Sequence, residues 1–316
     1  MKRVIGLLFI AFAINSCDDG NLIQENISFE DIEATESCTN GIIYKLKDQE
    51  ALLLDIPATT FTNETSTTTL EINATNRVIY RFYNGAVTSS TICETIPPAT
   101  PVVTDQWTAT DGQIVITTIP KVETNATTNG TKITGYNHNI VFKNITFAKS
   151  NGNQVYDIFP FGTYTTTTTA LPFLFDQTVE KCSSSNQIYN FTSSEALQLN
   201  IDPSLIANAV TPLNTPRTGL ITSTTNSLTY RLFSGGVLTN SYFCNTVTPT
   251  TPTVNQEWNA VAGITGASGV IEVTTNTSGP NTFRHTIVLK KVTFKKGNDS
   301  FLLADSYIFG DLLTTN

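Results

Sequence analysis

His138 and His285 are the only two histidines in the 316 residues, which makes them the first candidates for chemistry. An imidazole can serve near neutral pH as a base or a metal ligand. Both open the same kind of stretch: His138-Asn-Ile-Val-Phe-Lys-Asn-Ile-Thr-Phe147 and His285-Thr-Ile-Val-Leu-Lys-Lys-Val-Thr-Phe294, with the same His-to-Phe spacing. A single histidine at the start of each strand, with no acid-rich motif beside it, reads as a strand-edge residue, hydrogen-bonded or exposed. Carboxylates recur as well, Glu50 with Glu195 and Asp157 with Asp305. Two facing carboxylates are the apparatus of glycoside hydrolysis, yet recurrence in two copies is equally what a hairpin turn or a paired charge gives. There is no glycine-rich phosphate loop, nucleophile elbow, zinc signature or acid-rich calcium loop. The expectation is a protein without catalysis, cofactor or bound metal.

Five cysteines are present. Cys17 stands apart, and the other four can pair in three ways. Cys93 lies 14 residues before Trp107, and Cys244 lies 14 before Trp258, so equivalent positions favour Cys38 with Cys93 and Cys182 with Cys244. Such bridges persist in an oxidising compartment, and closing loops of this length stabilises each unit by up to about 4 kcal/mol. Free thiols or metal ligation are the rival readings; metal fits poorly, because no Cys-x-x-Cys occurs and the histidines are distant. Trp107 and Trp258 are expected to pack against the disulfide or cap the fold. Their other role would be as flat platforms for a sugar ring, the candidate ligand contacts of the chain.

These residues sit on an internal repeat. Tyr80-Arg81-Phe82-Tyr83-Asn84-Gly85 corresponds to Tyr230-Arg231-Leu232-Phe233-Ser234-Gly235, Pro101 to Pro252, and Phe161-Gly162 to Phe309-Gly310; Phe29 precedes Cys38 as Phe173 precedes Cys182. Two modules follow, 26–164 and 170–316, joined by Thr165–Thr169. Ile42, Tyr44 and Leu46 alternate with polar residues, as do Leu52, Leu54 and Ile56, and Val78, Tyr80 and Phe82. Ile114–Thr118, Ile140–Phe147 and Val155–Phe161 supply further strands, and Asn151-Gly152 and Gly297-Asn298 stand where hairpin turns are wanted. Thr, Val, Ile, Tyr and Phe dominate, no 3.6-residue period occurs, and the chain is all-β: two tandem antiparallel β-sandwiches, immunoglobulin-like or jelly-roll-like, with a curled barrel as the competing topology. Arg81 and Arg231 should point away from the core. Each module is expected to fold alone, unless Leu171–Phe175 crosses to complete the first. Sequons such as Asn63-Glu-Thr and Asn129-Gly-Thr read as surface turns.

At the N-terminus, Lys2 and Arg3 precede an apolar run from Val4 to Ile14, too short for the roughly 20 residues of a membrane span. Ile14-Asn15-Ser16-Cys17 then resembles a bacterial lipobox, which implies cleavage of residues 1–16, lipid on Cys17 and a tether over 17–25. Acyl chains on one residue suffice for stable membrane anchoring. The net charge of −8 argues against nucleic acid as partner and against electrostatic attachment to anionic lipid.

The run Cys17-Asp18-Asp19-Gly20, Phe29-Glu30-Asp31, the Tyr-Arg strand, Cys93 to Trp107 with Ile96-Pro97-Pro98-Ala99-Thr100-Pro101, and Ile114–Thr118 together resemble an uncharacterised family of flavobacterial outer-membrane lipoproteins. The resemblance covers nearly all of residues 17–316 and implies tandem β modules rather than an activity. Relatives hold an acidic, calcium-repeat-like insertion after the Ile114–Thr118 strand; Lys121–Lys132 holds little acid, so no calcium role follows. Asp18 and Asp19 match the acidic residues that direct such lipoproteins to the cell surface. The expected function is a lipid-anchored binding protein on the outer membrane, facing outward, with a protein or glycan ligand. The alternative is a glycan-binding accessory lipoprotein of a polysaccharide-uptake system.

Overall fold

A computed structural model describes residues 27–32 and 35–316; the signal segment, Cys17 and the whole tether lie outside the described residues. The first eight strands are β1 (Glu36–Ser37), β2 (Ile43–Lys47), β3 (Glu50–Asp55), β4 (Ser66–Glu71), β5 (Arg77–Tyr83), β6 (Val103–Thr124), β7 (Thr131–Lys149) and β8 (Gly152–Thr167). They form one sheet in the order β1-β2-β3-β5-β6-β7-β8, with β4 on the far half of β6. The remaining strands are β9 (Thr178–Lys181), β10 (Gln187–Phe191), β11 (Glu195–Asn200), β12 (Arg217–Leu220), β13 (Ser227–Ser234), β14 (Thr253–Ala260), β15 (Val270–Gly279), β16 (Thr282–Lys290), β17 (Thr293–Lys296), β18 (Asp299–Leu302) and β19 (Ser306–Thr315). Their order is β12-β15-β16-β19-β9-β10-β11-β13-β14-β17-β18, in which only the short β9–β19 contact is parallel.

The two modules share one topology, with a difference at the corners. In the first, β6, β7 and β8 run unbroken from one layer of the sandwich into the other. In the second, each of these is cut into two strands. The corner residues repeat: Asn144 and Lys291 both take left-handed backbone, and so do Gly162 and Gly310. At Gly310 a Cβ would lie 2.6 Å from Val179 Cγ2 and 2.8 Å from Gln177 O. What both copies of the Phe-Gly landmark share is the positive φ, 125° and 141°, which glycine alone adopts without strain; the crowding at Gly310 adds to it. The layers close on Ile43, Leu52, Leu54, Val78, Tyr80, Trp107, Ile114, Ile116, Ile140, Phe142 and Phe161 in the first module. Leu197, Leu199, Tyr230, Trp258, Ile271, Ile287, Phe294 and Phe309 do so in the second. The architecture is a β-sandwich rather than a barrel.

Both expected disulfides form, Cys38–Cys93 and Cys182–Cys244. Their place corrects one part of the alternation read from the sequence. Ile42, Tyr44 and Leu46 do not face the main core; they lie on the outer face of the sheet, with Leu53, Ile79, Tyr83 and the Cys38–Cys93 pair. A short helix, α1 (Ser89–Cys93), is bound over that face by the disulfide. β2, β3 and β5 are therefore buried on both faces, and a two-residue period cannot tell which is inside. The tryptophans, expected against the disulfides, pack in the main core on the opposite face.

The joint also differs from the expected Thr165–Thr169. Thr165–Thr167 belong to β8 and pair with Gly135–Asn137. Leu171, Phe173 and Phe175 do not cross back to the first module; they pack on the core of the second.

Candidate functional site

Neither pair of carboxylates shares a site, because each member stands in its own module. Glu50 is half-buried, whereas Glu195 is 1% exposed. The Glu195 carboxylate accepts from Phe173 N (3.0 Å), Leu174 N (2.7 Å) and Tyr230 OH (2.8 Å). Its capacity is used in fixing the joint, where Phe173 stacks on Tyr230 with centroids 4.3 Å apart. Burial and the Glu195 charge push the Tyr230 phenol well above its usual range and Tyr307 up to about 12. Asp157 is exposed, while Asp305 accepts from Asn129 Nδ2 at 2.6 Å.

The histidines are fully buried and identically held. His138 Nδ1 and Nε2 meet Thr118 Oγ1 (2.9 Å) and Thr166 Oγ1 (3.0 Å), and His285 meets Thr275 Oγ1 (2.8 Å) and Thr314 Oγ1 (2.8 Å). Around His285 the direction of every bond follows. Thr314 Oγ1 spends its one proton on Asn208 Oδ1, so Nε2 carries the hydrogen of this ring and donates it to Thr314 Oγ1. Nδ1 of the neutral imidazole accepts from Thr275 Oγ1, which itself accepts from Arg217. The imidazole is neutral, and burial with the nearby Arg217 and Lys181 charges lowers its pKa to about 4. Burial lowers His138 in the same direction. These histidines tie strands together, as the strand-edge reading has it, but in the interior. Arg81 and Arg231 lie on the sheet surface, bonded to Gln106 and Glu257. Among the described residues no group of three or more His, Cys, Asp or Glu side chains is arranged to hold a metal.

Trp107 and Trp258 are 2% and 3% exposed, so neither is an open platform. Their indole N–H groups donate to Asp105 Oδ2 and Gln256 Oε1, and Lys149 and Lys296 place an ammonium 4.5 and 5.2 Å from the ring centroids. The two copies differ in what lies beyond that lysine. At Trp258 a cleft of about 720 Å³ opens, bounded by the second sandwich, the joint and the β6–β7 hairpin of the first module.

The hairpin is the element that makes this cleft. Residues 121–132, the stretch that holds little acid, carry the end of β6 and the start of β7, and their tip reaches the second module. Ile133 and Tyr136, although in the first module, belong to the core of the second. Tyr136 donates to the buried Asp299 carboxylate (2.8 Å), which also accepts Thr65 N (3.0 Å) and Thr65 Oγ1 (2.5 Å). Asp305 N donates to Thr128 O (2.8 Å) and Leu302 N to Thr131 Oγ1 (2.8 Å). Gly130 passes so close to Leu303 O that no Cβ fits. The sequon residues Asn63 and Asn129 are turns, as expected, but at this junction: Asn63 lines the cleft and Asn129 bonds Asp305.

The lining combines half-buried rings (Phe173, Tyr307), the floor of Trp258 and Phe301, and the amides of Asn255 and Gln256. Of the candidate ligand contacts and sequon residues named from the sequence, Trp258 and Asn63 are here, joined by Leu171 and Phe173 from the apolar run after the joint. Phe173 and Lys296 carried a faint signal as repeat-equivalent positions; Tyr307 and Gln256 carried none, because the cleft exists only where the modules meet. No protein-family model matches the chain, no curated protein matches it, and no solved structure matches it.

Proposed function

We propose that the chain is a lipid-anchored binding protein of the outer membrane, facing outward, which holds a ligand in the inter-module cleft without transforming it. The observation that carries this reading is the cleft itself. Its volume lies within the range of small-ligand sites, and its walls mix aromatic surface with a few polar groups, the usual composition of such sites. Of the candidate acids and bases, Glu195, His138 and His285 have their hydrogen bonds committed to structure. The anchor rests on Ile14-Asn15-Ser16-Cys17: an alkyne fatty acid should label the wild type and leave Cys17→Ala unlabelled.

The glycan-accessory reading has its own support, since aromatic rings beside amide and phenol groups suit the apolar faces and hydroxyl edges of sugars. Both are tested by offering the purified protein to arrays of glycans and peptides. Tyr307→Phe removes a cleft donor with little change in packing, and Gln256→Glu removes the amide donors while keeping an oxygen to accept from Trp258 Nε1; each should weaken binding several-fold. Binding that is indifferent to both substitutions would place the ligand elsewhere.

A further inference from the structure

The charge pattern of the cleft narrows its ligand. Three charged side chains line it, Glu123, Lys132 and Lys296. Glu123 and Lys132 neutralise each other at 3.1 Å. Lys296 forms no salt bridge within the described residues; its ammonium stands over the Trp258 ring. Two further donors are available there. Gln256 spends its carbonyl oxygen on Trp258 Nε1 at 3.0 Å, which leaves its amide N–H groups free. Tyr307 lines the same space with no hydrogen-bond partner for its hydroxyl among the described residues, and burial keeps that hydroxyl protonated well above neutral pH.

We infer that the cleft takes a carboxylate-bearing saccharide, a uronate unit whose carboxylate meets Lys296 while its ring lies along the aromatic walls and its hydroxyls accept from Gln256 and Tyr307. This inference rests on the cleft being the binding site. An unpaired ammonium in a half-enclosed apolar cleft attracts an anion far more strongly than one in open water. The chain's charge of −8 opposes an acidic ligand at long range, but physiological salt screens that field beyond about 8 Å. Phosphate fits less well: the lining holds no arginine for bidentate contact. Lysine suits a single carboxylate met as a point charge.

The test is calorimetric titration of the full chain in detergent with galacturonate and mannuronate hexasaccharides, each beside its carboxyl-reduced counterpart. At least one uronate should bind, at least tenfold more tightly than its reduced form and with weakening as salt rises. Lys296→Gln should abolish that preference and Lys296→Arg retain it, with melting temperatures confirming that both fold. Equal binding of acid and reduced forms overturns the uronate inference, and so does a preference that survives Lys296→Gln. The cleft reading would still stand in those cases if Tyr307→Phe weakened binding. If neither uronate binds, the inference fails, and a neutral glycan or peptide sensitive to Tyr307→Phe would still uphold the cleft. Should Lys296→Gln not fold, the comparison of acid with reduced ligand on the wild type decides.

Discussion

The β6–β7 hairpin of the first module and the β15–β16 hairpin of the second begin from the same anchor and end differently. In both, a threonine and a histidine face each other across the strands, Thr118 with His138 and Thr275 with His285. Beyond that rung the second hairpin turns within Asn276–Arg284, while the first continues over 119–137. The shared rung is sandwich architecture; the extension gives Ile133 and Tyr136 to the neighbouring core and walls the cleft. The ligand-sized space thus lies where one hairpin of one copy is longer than its counterpart, while the disulfide keeps the same place in both modules.

Replacing residues 119–137 by the shorter counterpart Asn276–Arg284 tests this most severely. The second module should lose about 4 kcal/mol from the missing apolar cover, with its melting transition about 10 °C lower and Trp258 fluorescence shifted to the red. The first module should melt as before. A single unchanged transition would mean that the extension contributes nothing to the second core.

A smaller effect separates the two glutamates. Glu195→Ala leaves two half-buried N–H groups and the buried Tyr230 hydroxyl without their acceptor, and should cost about 3 kcal/mol in chemical denaturation. Glu50→Ala, at a half-exposed strand position, should change stability by less than about 0.5 kcal/mol. Equal costs would break the distinction drawn between the copies.

The histidine rung should show the smallest effect and the least asymmetry. Both imidazoles have lowered pKa values, so the unfolded chain takes up protons first as pH falls. Their contribution is complete above about pH 6.5 and is lost as pH drops from there toward about 4. No other histidine is present, so unfolding free energies measured between pH 7 and 5 should fall with pH. Substituting both by Gln should flatten that slope, and a slope unchanged in the double variant would refute the neutral, buried assignment.

The sequence alone determined what is local or repeated. Alternation and turn chemistry declared the strands, since side-chain direction in a strand depends only on parity. The recurrence of Cys38, Cys93, Cys182 and Cys244 declared the disulfides, because equivalent positions in one fold must meet equivalent partners. What only the tertiary structure decided is which surfaces are inside and what lies between. Parity could not say that Tyr44 faces the disulfide while Ile43 faces the core, because both faces of that strand are covered. Nor could it say that Ile133 and Tyr136 serve the other module, or that Tyr307, Gln256 and Lys296 share one cleft with Phe173. Those residues are brought together by the docking of two separately patterned units, and no period or spacing in the chain records that docking.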